Sequence, residues 1–377
     1  VVLEHIARNL GLDFEWVQEK NFYKPGQKTP WGDVIGSESF NWTLPEIWSK
    51  LRANSDFDAR REAVTKFNTS SRYRKRGISM TPVKYGMSTQ AYQAMATVSI
   101  FSADGTVLVT HNGCEIGQGI HTKIAQVVAF VFSLDLSMIR IADTESNAAP
   151  NTAATGGSGT SETTAQATLL ACQELKKRLE VYQAKEQDWV KAVAAASTAN
   201  VCLSAQGWFV HETPEGANCY ATYGAAVSEV EIDVLTGELE ILRTDVLMDL
   251  GQQLNAAIDI GQLEGGFVMA LGYFFTEQVR FSKEGRLRDV GTWEYKIPSY
   301  CDVPREFNVS LMKDTKNPSG TLGSKASAEP PMSLASSAYF AVKAAIYAAR
   351  AEFGKGPAFF QLPLPCTVEE IQKACSA

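Results

Sequence analysis

The chain reads as α+β, a mixture of helices and long β-hairpins, and three observations predict it. Ala96–Phe101 and Thr106–His111 alternate in polarity around Ala103-Asp104-Gly105, the pattern of two strands closed by a tight turn. Val227–Val234 and Glu238–Met248 repeat it around Leu235-Thr236-Gly237. The helical segments between and after these hairpins lack the regular strand–helix–strand alternation of a doubly wound parallel sheet.

Taken in order, Val1–Gly11 and Thr43–Asn54 have the spacing of short amphipathic helices, and Asp56–Asn68 is a third that opens on an aspartate cap. Arg72–Arg76 is a basic cluster, read as a solvated face or a contact with a neighbouring segment. His121–Ser133 is an apolar helix after the first hairpin. Thr160–Tyr182 is another, capped by a hydroxyl residue with Glu162 near its first turn. Gly261–Phe274 and Met332–Phe353 are the last clear helices. No repeat, low-complexity tract or long linker divides residues 1–377.

With 45% hydrophobic and 20% charged residues among 377, the chain can bury a sizeable core. A net charge of -7 argues against nucleic acid or an anionic membrane as partner. No apolar run reaches the roughly 18 residues a membrane helix needs. Cysteines at 114, 172, 202, 219, 301, 366 and 375 form no C-x-x-C pair, and His5, His111, His121 and His211 are dispersed. This suits free thiols in a reducing, cytoplasmic setting and supplies no self-contained zinc or iron–sulfur site. Cys114 is expected to be buried and inert. Trp16, Trp31, Trp42 and Trp48 are read as packing, and Asp245 and Asp249 as strand residues. The opening at Val1, without methionine, suggests a piece of something longer.

Four segments carry chemistry. Lys325-Ala-Ser-Ala-Glu329-Pro-Pro331 places one acid at a helix start pinned by two prolines. Held among small apolar residues, such a carboxylate is stripped of water, as a working general base is; alone, it could equally complement the helix dipole. Gly117-Gln118-Gly119 lies in a strand-to-helix turn where backbone amides can approach a ligand, or where the chain merely turns tightly. It is neither a Walker A loop nor a dinucleotide fingerprint. Thr155-Gly156-Gly157-Ser158-Gly159-Thr160 alternates glycines and hydroxyls, the makings of an anion-binding nest or of a flexible loop. Gln262 sits at the start expected for the helix over 261–274, followed by Gly265-Gly266 for close packing. Together they describe a phosphate-bearing cofactor beside a base.

Ordered matches run the length of the chain: Lys66-Phe-Asn68, Arg74-Lys-Arg-Gly77, Gly117-Gln-Gly119 with His121-Thr-Lys123, Ser228-Glu-Val-Glu-Ile-Asp233, Arg243-Thr-Asp245, Ala257-Ile-Asp-Ile-Gly-Gln262, Tyr295-Lys-Ile-Pro298 and Glu329-Pro-Pro331. In these the chain resembles the xanthine dehydrogenase and aldehyde oxidase family, the molybdenum hydroxylases. The resemblance implies a molybdopterin-binding fold and assigns residues 1–377 to the C-terminal half of the molybdenum domain. Iron–sulfur (2Fe-2S) domains, an FAD domain and the first half of the molybdenum domain would lie elsewhere in the enzyme, a homodimer by analogy. It also implies that Gln118, with Gly117 and Gly119, lies beside the metal centre, that Thr155 to Thr160 and Gln262 cradle the pterin and its phosphate, and that Glu329 is the catalytic base. Lys325 would orient or counterbalance that segment. No side chain would ligate the metal. Gly156 and Gly157 stand where relatives often carry alanines.

The function so implied is hydroxylation of an electron-poor carbon in an aldehyde or N-heterocycle. Thr89 stands where purine-oxidising relatives stack an aromatic, with Tyr92 near it. Gly291-Thr-Trp-Glu-Tyr-Lys-Ile-Pro298 and Ser324-Lys-Ala-Ser327 resemble aldehyde oxidases. The lean is therefore toward an aldehyde oxidase, with xanthine dehydrogenase as the alternative and a catalytically silent structural or assembly subunit as the rival of another class.

Overall fold

Two mixed four-stranded sheets carry the fold. The computed structural model describes residues 1–88, 93–210, 218–356 and 358–376. Helices α1 (Val2–Leu10), α2 (Phe14–Lys20), α3 (Leu44–Asn54) and α4 (Phe57–Ser70) precede strands β1 (Arg74–Met87), β2 (Gln93–Ile100) and β3 (Val107–His111). Then come α5 (Ile120–Phe132), β4 (Ile139–Ile141), α6 (Thr160–Gln183), α7 (Trp189–Thr198), β5 (Ser204–Val210), β6 (Tyr220–Asp233) and β7 (Leu239–Asp249). The chain continues through α8 (Ala256–Phe275), β8 (Glu306–Leu311), α9 (Pro330–Leu334), α10 (Ser336–Glu352) and α11 (Val368–Ser376). Both expected hairpins form, β2 with β3 and β6 with β7. The strand orders are β1-β6-β7-β8 and β4-β3-β2-β5, with β7–β8 and β3–β4 parallel.

The first sheet is covered on both faces, and its inner strand β6 is buried along almost its whole length. Along β6, Ala226, Val230 and Ile232 face one core with Phe267 of α8 and Val342 of α10. Tyr223, Ala225 and Val227 face another with Trp48 of α3 and Phe57 of α4. The second sheet packs Val98, Val107 and Val109 against Ile124 and Val128 of α5 and Leu175 of α6. Helix α10 lies so close on β1 that a Cβ added to Gly77 would stand 1.9 Å from the Ala341 carbonyl oxygen.

The basic cluster resolves into contacts with neighbouring segments. Arg74 and Arg76 meet Glu231 of β6 at 3.0 and 2.8 Å, while the buried Lys75 ammonium donates to the carbonyls of Asn68 and Ser71. Several local expectations are corrected. Asp56 occupies the cap position of α4 at φ 52°, and its side chain makes no capping bond. Helix α6 follows Gly159 with no side-chain cap, and Thr160 lies inside it. Helix α8 starts at Ala256 rather than Gly261, because Asn255 accepts the Ile258 N–H; Gln262 thus sits beyond the first turn. The last helix is two, beginning at Pro330 and interrupted at Ala335. Trp48 is buried and Trp42 packs edge-on to Tyr223, but Trp16 and Trp31 are exposed. Cys114 is exposed too.

Gly77→Ala is expected to lower stability by roughly 1–3 kcal/mol, since the methyl group must push strand and helix apart. Chemical denaturation of the two proteins side by side measures the difference; equal midpoints would show that α10 yields freely.

Candidate functional site

The site begins at the end of β7. The Asp249 carboxylate there is buried, takes the Lys325 ammonium at 2.7 Å and the Thr43 hydroxyl at 2.8 Å on Oδ2, and accepts the Gly251 N–H on Oδ1. The Lys325 N–H donates to the Leu250 carbonyl at 3.0 Å, and the Gln252 N–H to that of Gly323 at 2.8 Å. Segment 323–326 is thereby fixed along the chain leaving β7. The two prolines then open α9, with Glu329 at its cap position.

Glu329 is half-buried. Its Oε1 accepts the Gly157 N–H at 3.2 Å, and its Oε2 accepts the Ser158 hydroxyl at 3.4 Å and the hydroxyl of Tyr85. Its own N–H donates to Ser158 Oγ at 3.1 Å. Ser158 holds φ 57°, a left-handed backbone that side chains rarely adopt. The 155–160 turn does gather donors around an anion, and that anion is the chain's own carboxylate.

The 113–121 turn is built likewise. Glu115 accepts the N–H groups of Gly117, Gly119 and His121 at 2.9, 3.0 and 3.4 Å. Burial alone would raise Glu115; these N–H groups outweigh it and hold the carboxyl below its ordinary value. The glycine amides expected to face a ligand therefore face Glu115. Gln118 folds back on its loop, accepting the Ile116 N–H at 2.6 Å and donating to the Cys114 carbonyl at 2.8 Å. The Thr155 hydroxyl donates to that same carbonyl at 3.0 Å, joining the two turns. His111 is buried, which, with His121 beside it, pushes it down to about 4. It bonds His121 at 3.1 Å and accepts the Gly113 N–H, so both rings serve the loop's structure.

A cavity of about 420 Å³ lies where these segments meet. Of the residues expected at a site, Gly117, Gln118, Thr155, Gly156, Ser158, Thr160, Gln262, Lys325 and Glu329 line it, whereas Gly119, Gly157 and Gly159 do not. The Lys325 ammonium is committed to Asp249. A second lysine, Lys123, pairs with Asp259 at 3.0 Å, and the Ser327 hydroxyl donates to the same oxygen at 3.1 Å. The Thr160 hydroxyl is buried with no hydrogen-bond partner among the described residues. Gly291–Pro298, expected to bear on substrate choice, lines no part of this cavity, and Trp293 is 84% exposed. Thr89 and Tyr92 lie outside the described residues.

Sequence reasoning missed Tyr85, which sits near the end of β1 with no motif around it, and the role of Glu162. Glu162 was legible only as a first-turn acid. It is buried against the cavity, which pushes it up to about 7 although the Tyr220 hydroxyl, donating at 2.6 Å, favours its charged form.

A protein-family model described as the molybdopterin cofactor-binding domain matches residues 50–304. The xanthine dehydrogenase/oxidase of Mus musculus is 43% identical over 99% of this chain and 29% of its own length. The xanthine dehydrogenase of Oryza sativa subsp. japonica is 40% identical over 99% and 28%. The chain thus spans under a third of these relatives. Among solved structures, Cu,Mo-CO dehydrogenase superposes with TM-score 0.81 at 21% identity, covering 99% of this chain and 50% of that one. The aldehyde oxidoreductase from Desulfovibrio gigas gives TM-score 0.81 at 22% identity, covering 100% and 40%. At such identities the likeness is one of fold.

Two buried groups, Glu162 of the cavity lining and His111 behind the 113–121 turn, pull stability in opposite directions with pH. Glu162 has its proton affinity raised from 4.5 to about 7, so its contribution is complete below pH 4.5 and is lost as pH rises through about 7. His111 is lowered from 6.5 to about 4, so its contribution is present above pH 6.5 and is lost as pH falls through about 4. Each is worth at most about 3 kcal/mol. Glu162→Gln should therefore gain stability on the wild type steadily between pH 4.5 and 7, measured by denaturant midpoints; a difference independent of pH would contradict this.

Proposed function

Because the chain belongs to the molybdopterin cofactor-binding family of molybdenum hydroxylases, we propose that the cavity holds the pterin of a molybdenum cofactor and that Glu329 is the base beside it. The observation that carries this reading is the convergence of Glu329 with Gly157 and Ser158 on one wall of the cavity that Gln118 and Gln262 also line. The donor set fits such a group. The Thr160 hydroxyl is buried and lacks a partner among the described residues. A Cβ on Gly117, Gly156 or Gly265 would meet nothing within 4 Å, which leaves room for a planar ligand along these backbones. Thr155, Ser158, Thr160 and Gln262 would hold the pterin and its phosphate by neutral hydrogen bonds, and Gln118 would lie nearest the metal.

When bound, the cofactor supplies the two-electron redox chemistry and the water-derived oxygen of hydroxylation. The chain's part is placement and proton transfer. A carboxylate has about four acceptor positions, and Glu329 fills three, with Gly157, Ser158 and Tyr85. The carboxylate is thus held in one direction, and Oε1 retains capacity to take the proton that activates the attacking oxygen. The two prolines and the Lys325–Asp249 pair keep it from drifting as that proton arrives.

The substrate reading turns from the aldehyde lean to the alternative, an N-heterocycle of the xanthine kind. Relatives at 39–43% identity carry the name xanthine dehydrogenase. Of the two stretches that favoured aldehydes, Gly291–Pro298 does not line the cavity and Ser324–Ser327 does, so the turn to the alternative rests on the relatives. The remaining domains or chains of a larger enzyme, with 2Fe-2S clusters and FAD, would complete the pocket and carry the electrons away. Met269, exposed at the cavity wall, and Tyr273 on the same helix give an apolar surface for that partner part to cover. Among the described residues no helix is long and apolar enough to cross a membrane. All seven cysteines are free, which suits a reducing, cytoplasmic setting.

In the complete enzyme, Glu329→Gln is expected to lower turnover about 10²–10⁴-fold with molybdenum and pterin contents unchanged. Near-normal turnover in a fully loaded variant would remove the role assigned to Glu329, and a wild-type enzyme that folds without metal would favour a silent structural subunit. Wild-type rates on xanthine and on an aromatic aldehyde decide the substrate class; xanthine is expected to be the faster, and a marked preference for the aldehyde would restore the earlier lean.

A further inference from the structure

The wall behind Glu329 carries two groups to which the proposed reaction gives no part. Glu162, in the first turn of α6, accepts the Tyr220 hydroxyl at 2.6 Å. Tyr220, at the start of β6 and fully buried, accepts the Ala326 N–H on the same oxygen at 2.9 Å. The Thr222 hydroxyl, on the same strand, donates to the Ala326 carbonyl at 3.1 Å. One residue just ahead of Glu329, Ala326, is therefore gripped through both its N–H and its carbonyl from β6, and through Tyr220 it is tied to the helix that the 155–160 turn opens.

We infer that Glu162 and Tyr220 are positioning residues: they clamp the segment bearing Glu329 against the helix start of the cofactor cradle. The inference rests on the reading of Glu329 as base. Gly157 and Ser158 reach the Glu329 carboxylate only at 3.2 and 3.4 Å, the long end of the range, and the Tyr85 hydroxyl is its close partner; whether the carboxylate meets all three donors at once depends on where its backbone is held. A carboxyl and a phenol buried together cost desolvation that a hydrocarbon pair of the same shape would avoid. That cost is offset here by bonds ending on the Ala326 peptide rather than within the core of β6. Burial raises Glu162 to about 7, so charge is only partly present near neutrality; what the clamp requires is an acceptor at that place, which glutamine also supplies.

The test uses the complete enzyme and three variants, Glu162→Ala, Glu162→Gln and Tyr220→Phe, with amide hydrogen exchange of the peptide spanning 325–329, steady-state kinetics and molybdenum content. Glu162→Ala and Tyr220→Phe are expected to speed exchange at Ala326 by about tenfold or more. They should also lower kcat roughly tenfold while KM stays within about twofold, with molybdenum unchanged. Glu162→Gln should recover most of both losses. Wild-type exchange and kcat in Glu162→Ala, molybdenum lost from that variant, or glutamine as damaging as alanine would each overturn the clamp. Exchange is read without turnover, so an enzyme lacking molybdenum would defeat the proposed function and still report on the clamp.

Discussion

The ion pair between Lys325 and Asp249 is the constraint on which the rest of the site depends. Both side chains are essentially fully buried, and taking two charges out of water costs several kcal/mol per ion unless geometry and further hydrogen bonds offset it. Here they do, through the 2.7 Å contact, the Thr43 hydroxyl and the Gly251 N–H. Removing either partner would leave a buried charge, a loss of about 3–5 kcal/mol. The sheet is thereby bound to the segment that carries Glu329. The end of β7 becomes an anchor, and α9 can present an acid from a fixed place without packing of its own around the carboxylate.

A second theme is the use of the chain's own acids where a foreign anion would be expected. Glycine-rich turns before helices point N–H groups outward, and the helix dipole favours negative charge there. In this fold the turn before α5 closes on Glu115 and the turn before α6 closes partly on Glu329. The consequence differs between the two. Glu115 lies within its own loop and, with the Gln118 side chain folded back on the same turn, closes that turn on itself. Glu329 arrives from far along the chain, so the turn before α6 doubles as a docking point for a distant carboxylate.

The hairpins and most helices were legible because period two and period 3.6 survive in the polar–apolar pattern. Strand β1 was not, since Pro82 and two glycines argue against a strand; it tolerates proline because it lies at the edge of its sheet, where one row of N–H groups needs no partner strand. The start of α8 was misread because Gly261 and Gly265 obscured the cap at Asn255. In the site, the glycine–hydroxyl turns and the Glu-Pro-Pro run could be read because each is local. Tyr85 meets Glu329 across 244 positions and Tyr220 meets Ala326 across 106, and no local pattern encodes such a meeting.

The electrostatics of the cavity follow from these same pairings. The two lysines that line it are held by Asp259 and Asp249, so neither approaches a ligand as an uncompensated cation. A phosphate placed there would be recognised by hydroxyl and amide donors in fixed positions, with Thr160 buried and aligned by its helix. Neutral donors discriminate by geometry and lose little to ionic strength, whereas exposed cations attract any anion and are screened by salt. A cavity built this way suits a ligand that binds once and stays.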